Sequence, residues 1–200
     1  MVRKLLRYLA MEHNKAVSLY RRINRPGGKE WAAYMRRHGG FYHFGTDCSM
    51  IPSTVVVDPQ YTWIGDRVCM GSCTLICHDG SIEMLNQRYG VRIDRIGPIV
   101  VEHDVYIGEG ATVLGGTTIG EGSIIGAGAV VRKSVPAGSV VTGNPAQVVA
   151  KVENVIRFWE AESQQYPWAD LIARRQGAFD AAMEPELCRR RQEYFFRDMS

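Results

Sequence analysis

The chain has 200 residues, of which 46% are hydrophobic, 22% charged and 21 glycine. That length and apolar content fit one or two compact domains and exclude a disordered chain. No run approaches the roughly eighteen apolar residues of a membrane span. Met1–Leu6 lacks the form of a signal peptide, so a cytoplasmic protein with reduced thiols is expected. Charge is uneven: residues 1–40 hold ten Lys/Arg and two acids, residues 41–150 six and ten, and residues 151–200 eight and nine. A basic excess confined to one end argues against a nucleic-acid-reading surface.

Residues 1–40 read as a basic helical segment. Val2, Leu5, Leu6, Leu9, Ala16, Val17, Tyr20 and Ile23 fall on one stripe of a helix that Pro26-Gly27-Gly28 ends. Two uses fit: covering the open end of the core that follows, or peripheral contact of residues 1–25 with an anionic membrane.

Residues 41–152 carry a six-residue period and sixteen of the 21 glycines. Aliphatic residues recur at Val101, Ile107, Val113, Ile119, Ile125 and Val131, with a small or branched residue four places after each. The period returns upstream at Ile64, Met70 and Ile76, and more loosely at Phe44, Met50 and Val56. A period of six suits neither a helix nor an isolated strand. It suits a chain that turns a corner every six residues, so that three hexads close one coil and coils stack about 4.8 Å apart. Glycines serve corners that need positive φ or close backbone approach. Between Ile76 and Val101 the period fails, and residues 77–98 read as a polar loop extruded from the coil. Residues 153–200 read as a helical extension whose Val155, Ile156, Phe158 and Trp159 pack on the coil or on a neighbouring subunit.

The hexads, the His78-Asp79 pair opening the loop, and Val-Pro followed by Gly-Asn-Pro-Ala resemble the hexapeptide-repeat acyltransferases over residues 44–152. Within them the pattern is most similar to sugar O-acetyltransferases: the galactoside and maltose enzymes and their relatives in bacterial surface-polysaccharide clusters. The resemblance implies a left-handed parallel β-helix, although crossovers are right-handed in about 98% of ordinary cases. It implies acetyl-CoA as co-substrate, a small-molecule or lipid-linked sugar as acceptor, and a homotrimer with active sites between subunits. By the same resemblance His78 is the general base, oriented by Asp79 or another carboxylate near the loop. Gly108 and Ala127 line the pantetheine groove, and Arg132 and Lys133 lie where the far end of the coenzyme passes. Relatives have a basic residue directly after Asn-Pro-Ala. Here that residue is Gln147, and Lys151 is the nearest replacement.

Alternatives stay open at this level. Cys77 beside His78 allows an acyl-cysteine route. His103 is a candidate substrate contact. An amine acceptor, such as an amino-sugar or antibiotic, would use the same fold. Cys69, Cys73 and Cys77 are four residues apart, which suits no usual zinc pair, and no metal is expected. The γ-class carbonic anhydrases resemble this fold but need three histidine ligands, whereas only His78 and His103 lie in the repeats and their loop. A non-catalytic scaffold would want threonine ladders and no loop.

Overall fold

The computed structural model describes residues 1–177 and 179–197. They form two compact units, Met1–Val152 and Glu153–Ser200. No helix among the described residues is long and apolar enough to cross a membrane.

The first unit begins with α1 (Val2–His13), α2 (Val17–Asn24) and α3 (Gly28–His38). The single helix expected over residues 2–23 is therefore broken in two. Asn14 and Ala16 take left-handed backbone (φ 52° and 54°), and the Asn14 N–H closes α1 on the Ala10 carbonyl. Asn14 Oδ1 also accepts the Tyr34 hydroxyl at 2.6 Å, which ties the break to α3. The fold-back puts Leu6, Ala10, Tyr20, Trp31, Ala32 and Tyr34 into the core that holds Phe44 and Met50. Val2, Leu5 and Tyr8 remain exposed on α1.

A coil of short strands follows. Its first half comprises β1 (His43–Phe44), β2 (Ser49–Met50), β3 (Val55–Val56), β4 (Thr62–Ile64), β5 (Cys69–Met70) and β6 (Thr74–Ile76). After an excursion containing α4 (Ser81–Tyr89) come β7 (Ile99–Val101), β8 (Tyr106–Ile107), β9 (Thr112–Leu114) and β10 (Thr117–Ile119). The coil ends with β11 (Ile124–Ile125), β12 (Val130–Val131), β13 (Ser139–Thr142) and β14 (Gln147–Lys151).

The strands stack as three faces. The first is β1-β4-β7-β10, the second β2-β5-β8-β11-β13 with β14 at its edge, and the third β3-β6-β9-β12. Every pairing is parallel except the closing β13–β14 pair. Registers align the inward residues in columns: Phe44–Ile64–Val101–Ile119 on the first face and Met50–Met70–Ile107–Ile125–Val141 on the second. From β4 onward the residue two places before the inward aliphatic is buried as well, as at Val105, Ala111 and Ser123.

Glycines at the corners do two jobs. Gly122, with φ 67°, takes a left-handed corner conformation. Gly108 has ordinary φ, but a Cβ there would lie 2.7 Å from the Ala127 nitrogen of the next coil.

Two expectations change. The third-face column is Val56–Leu75–Val113–Val131, so Leu75 points inward and Ile76 outward. Met70 to Leu75 spans five residues because the corner is tightened, with the Cys73 N–H donating to the Gly71 carbonyl at 2.8 Å. The extruded segment is also not an irregular loop. It forms α4 between Gly80 and Gly90, whose φ of 61° stops the helix. Asn86 then holds Ile93 through both its amide groups at 3.0 and 2.9 Å. A His78–Ile96 bridge closes the neck of the excursion.

The second unit contains α5 (Val152–Ser163, starting at the boundary), α6 (Ala169–Arg174) and α7 (Glu184–Phe195). Trp168, Leu171 and Leu187 make its small core, with Tyr166, Ile172 and Met183 packed around them. Arg190 bridges Asp170 and Glu186, each at 2.8 Å.

Leu75→Ala should cost about 2–5 kcal/mol in denaturant unfolding, the usual range for a buried leucine that leaves a cavity. A loss under about 1 kcal/mol would contradict the five-residue corner.

Candidate functional site

Coils stacked in register bring residues far apart in sequence onto one corner. Where the third face turns into the first, successive coils contribute Asp58, then Cys77-His78, then Gly115-Gly116, then Arg132-Lys133. The His78 Nδ1 lies 2.7 Å from Asp58 Oδ2, and the same oxygen accepts the Cys77 and His78 backbone N–H groups at 3.2 Å. With Nδ1–H donated to the carboxylate, Nε2 is left with its lone pair, the tautomer a general base needs. Asp58 is 13% exposed at its side chain and His78 44%, so the orienting group is shielded while the imidazole is open.

A cavity of about 510 Å³ opens beside the imidazole, walled by Ile76–Gly80, Arg95–Gly97 and Leu114–Gly116. Gly115 can be nothing larger, since a Cβ there would run into the Cys77 carbonyl. Its N–H meets no acceptor among the described residues.

Of the carboxylates expected to orient His78, Asp79 or another near the loop, it is not Asp79 but Asp58 that makes the contact. Asp79 turns toward α4, where its Oδ1 accepts the Ser81 N–H at 3.1 Å and the Ser81 hydroxyl at 2.7 Å. Those bonds hold its carboxyl below the usual range, with Arg95 at 3.6 Å as a lesser contribution. Asp58 lies twenty residues before His78 in the stretch Val-Val-Val-Asp-Pro. Cys77 is buried, and burial pushes its thiol upward despite the Thr62 hydroxyl 3.5 Å away. Cys73 is buried more deeply, its thiol pushed up to about 12. Cys69 is exposed.

Arg132 and Lys133 are exposed on the His78 corner, one coil beyond Gly115. Gly108 and Ala127 are adjacent to each other, but on the corner between the second and third faces. One strand of the third face separates the two corners, roughly 17 Å for five residues of extended chain. Lys151 also stands apart from Gln147. Gln147 pairs with Thr142 and Lys151 with Ser139, at opposite ends of the β13–β14 pair. His103 lies on the third corner, accepting the Asp66 N–H at Nδ1 (3.0 Å) and meeting Trp63 edge-on at 5.7 Å. Among the described residues, no three His, Cys, Asp or Glu side chains converge as a metal cluster would require.

Comparison with known proteins adds the following. Residues 98–133 match the family model described as bacterial transferase hexapeptide (six repeats). A Schizosaccharomyces pombe protein provisionally named as an acetyltransferase is 35% identical over 118 residues, covering 58% of this chain and 56% of its own length. A 2,3,4,5-tetrahydropyridine-2,6-dicarboxylate N-acetyltransferase of Staphylococcus aureus is 47% identical over 58 residues, 29% of this chain and 24% of that protein. The chain thus spans about half, or less, of the length of these relatives. Among solved structures, a maltose O-acetyltransferase from Clostridium difficile 630 superposes with a TM-score of 0.50 at 21% identity, over 75% of this chain and 84% of that one. That likeness is one of fold. Residues 98–133 of the coil described above are thus similar to the hexapeptide repeat of bacterial transferases.

Proposed function

We propose that this chain is an acyltransferase that moves an acetyl group from acetyl-CoA directly to a sugar hydroxyl, with His78 as general base. A role in bacterial surface-polysaccharide synthesis follows from the resemblance of residues 44–152. The observation that carries the reading is the 2.7 Å Asp58–His78 contact, which leaves Nε2 as the basic nitrogen beside an open cavity. In the step, the acceptor hydroxyl gives its proton to Nε2 as its oxygen attacks the thioester carbonyl. The Gly115 N–H is the proposed donor to the oxyanion. Collapse breaks the carbon–sulfur bond, and the departing thiolate takes the proton back from the imidazolium. Burial of Cys77 with a raised thiol favours this direct route over an acyl-cysteine. The left-handed winding of the coil rests on the resemblance of residues 44–152.

Assembly follows from the outward side of the third face. Val55, Val57, Ile76, Leu114 and Val130 project there, an apolar strip bounded by the two corners of interest. Packing three copies about that face buries it and sets the His78 corner of one against the Gly108–Ala127 corner of the next. The coenzyme would then lie between copies, with Arg132 and Lys133 as its proposed phosphate contacts. Gln147 adds no charge, and Lys151 is too far along β14 to replace it. Val2, Leu5 and Tyr8 beside Arg3 and Lys4 fit an additional contact of α1 with an anionic surface.

The Staphylococcus aureus relative acetylates nitrogen by name, so an amine acceptor is the second reading. Thiol release from acetyl-CoA, screened over sugars, amino-sugars and chloramphenicol, decides between them. Release confined to amines would overturn the hydroxyl acceptor, and none with any acceptor would overturn the function.

His78→Ala should lower kcat about 10²–10⁴-fold. Asp58→Asn should lower kcat by at least about tenfold through the wrong tautomer, while Asp79→Asn should change it less than about threefold. Equal losses in the two aspartate variants would refute the assignment of Asp58. For the direct route, iodoacetamide at pH 7.5 should label Cys69 and Cys188, the exposed thiols, and spare Cys48, Cys73 and Cys77. Acetyl label retained on denatured protein and lost in Cys77→Ala would reverse that conclusion. Finally, Leu114→Glu should convert a trimer into monomers by sedimentation velocity and abolish transfer, with far-UV circular dichroism preserved. Full turnover by a monomer would refute a site shared between copies.

A further inference from the structure

We propose that the first face carries a binding platform for an uncharged saccharide, distinct from the His78 cavity. Its role, holding the sugar units next to the one acetylated, rests on the acyl-transfer reading above. The platform is a cavity of about 600 Å³ walled by Tyr42, Gln60, Tyr61, Trp63, Pro98–Val100, Glu102, His103 and Glu121. Its aromatic groups are presented rather than buried: Tyr42 is 79% exposed and Tyr61 46%. Trp63 is held in place by His43, stacked at 4.9 Å, and by the edge contact with His103.

Polar groups stand at both ends of the first face: Gln60 before β4, and Glu102, His103 and Glu121 after β7 and β10. Glu102 Oε2 accepts the Glu121 N–H at 2.8 Å, which leaves its other oxygen available. The Glu121 carboxylate makes no hydrogen bond or ion pair among the described residues and feels the Arg67 guanidinium only at longer range. His103 accepts the Asp66 N–H at Nδ1, which leaves Nε2–H as a donor. An aromatic floor edged by carboxylate acceptors and by donors such as His103 and Gln60 matches a pyranose ring, which has C–H faces and a hydroxyl edge. No Lys or Arg lines this cavity, so the phosphates of the coenzyme are disfavoured here and favoured at the Arg132–Lys133 corner.

The two cavities are neighbours. Gly97 walls one and Pro98 the other, and the Gly116 N–H donates to the Pro98 carbonyl at 2.9 Å. Tyr61 follows Asp58 by one short turn, Pro59–Tyr61. An acceptor of several sugar units could therefore rest on the first face with its reacting unit at His78. The proposed trimer buries the third face and leaves the first open.

Saturation-transfer difference NMR on the full chain without coenzyme tests the platform. The probes are maltotriose and tri-N-acetylchitotriose, with glucosamine and inorganic pyrophosphate as charged comparisons. At least one trisaccharide should bind, and Tyr42→Ala and Glu121→Gln, both at exposed positions, should each weaken it about five- to tenfold. The platform is refuted if neither trisaccharide binds or if both variants bind as tightly as the parent. It is also refuted if only glucosamine or only pyrophosphate binds. Saccharide binding with no thiol release for any acceptor would remove the acyl-transfer reading and leave the platform; thiol release without saccharide binding would do the reverse.

Discussion

Parallel stacking at about 4.8 Å per coil is the constraint on which the rest of the first unit depends. In such a stack, a side chain's neighbours are those one coil above and below, not those beside it in sequence. Val56 pairs with Leu75, which puts Asp58 beside the chain at Cys77 and His78 of the next coil. Stacking between coils, not proximity in sequence, thus builds the site.

The same stacking explains why a coil with more acids than bases is stable. Each corner leaves outward N–H groups that the ladder does not use. Asp66 accepts the Thr46 N–H at 2.7 Å, Glu109 the Ser72 N–H at 2.9 Å, and Glu102 the Glu121 N–H at 2.8 Å. The Thr46 N–H and hydroxyl lower the Asp66 pKa, since the charged carboxylate is the better acceptor. Asp58 makes the same kind of bond to two N–H groups and adds the imidazole. The candidate base is therefore oriented by a residue type the coil already uses for capping. Glu121 has no such duty in the described chain, which sets it apart from its acidic neighbours.

What the sequence made legible follows from which signals are local. The six-residue period is local, so the inward columns from Val101 to Val131 could be read directly, as could the place where the coil is interrupted. The fold-back of α1 onto α2 was not, because a stripe from Val2 to Ile23 satisfies one long helix as well as two short ones. The turn depends on Asn14 reaching Tyr34. Helix α4 was hidden because its face carries no buried residue and so leaves no periodic apolar trace. His78 was singled out through resemblance and its place at the break. Its partner Asp58 lies twenty residues away on the preceding coil, where the hexads are loosest, and no local signal marks it.

Separation of the corners has a consequence for how the chain can work. A general base must stand within about 3 Å of the proton it takes, or one water away. His78 stands at one end of the third face, and the glycines that would admit an acyl carrier stand at the other. No rotamer of His78 spans a strand of roughly 17 Å. If both corners serve one reaction, they must come from different copies, and the apolar strip between them is the surface whose burial would join them. The strip and the split site then have one cause: residues that would otherwise be a solubility fault are where the two halves of the chemistry meet.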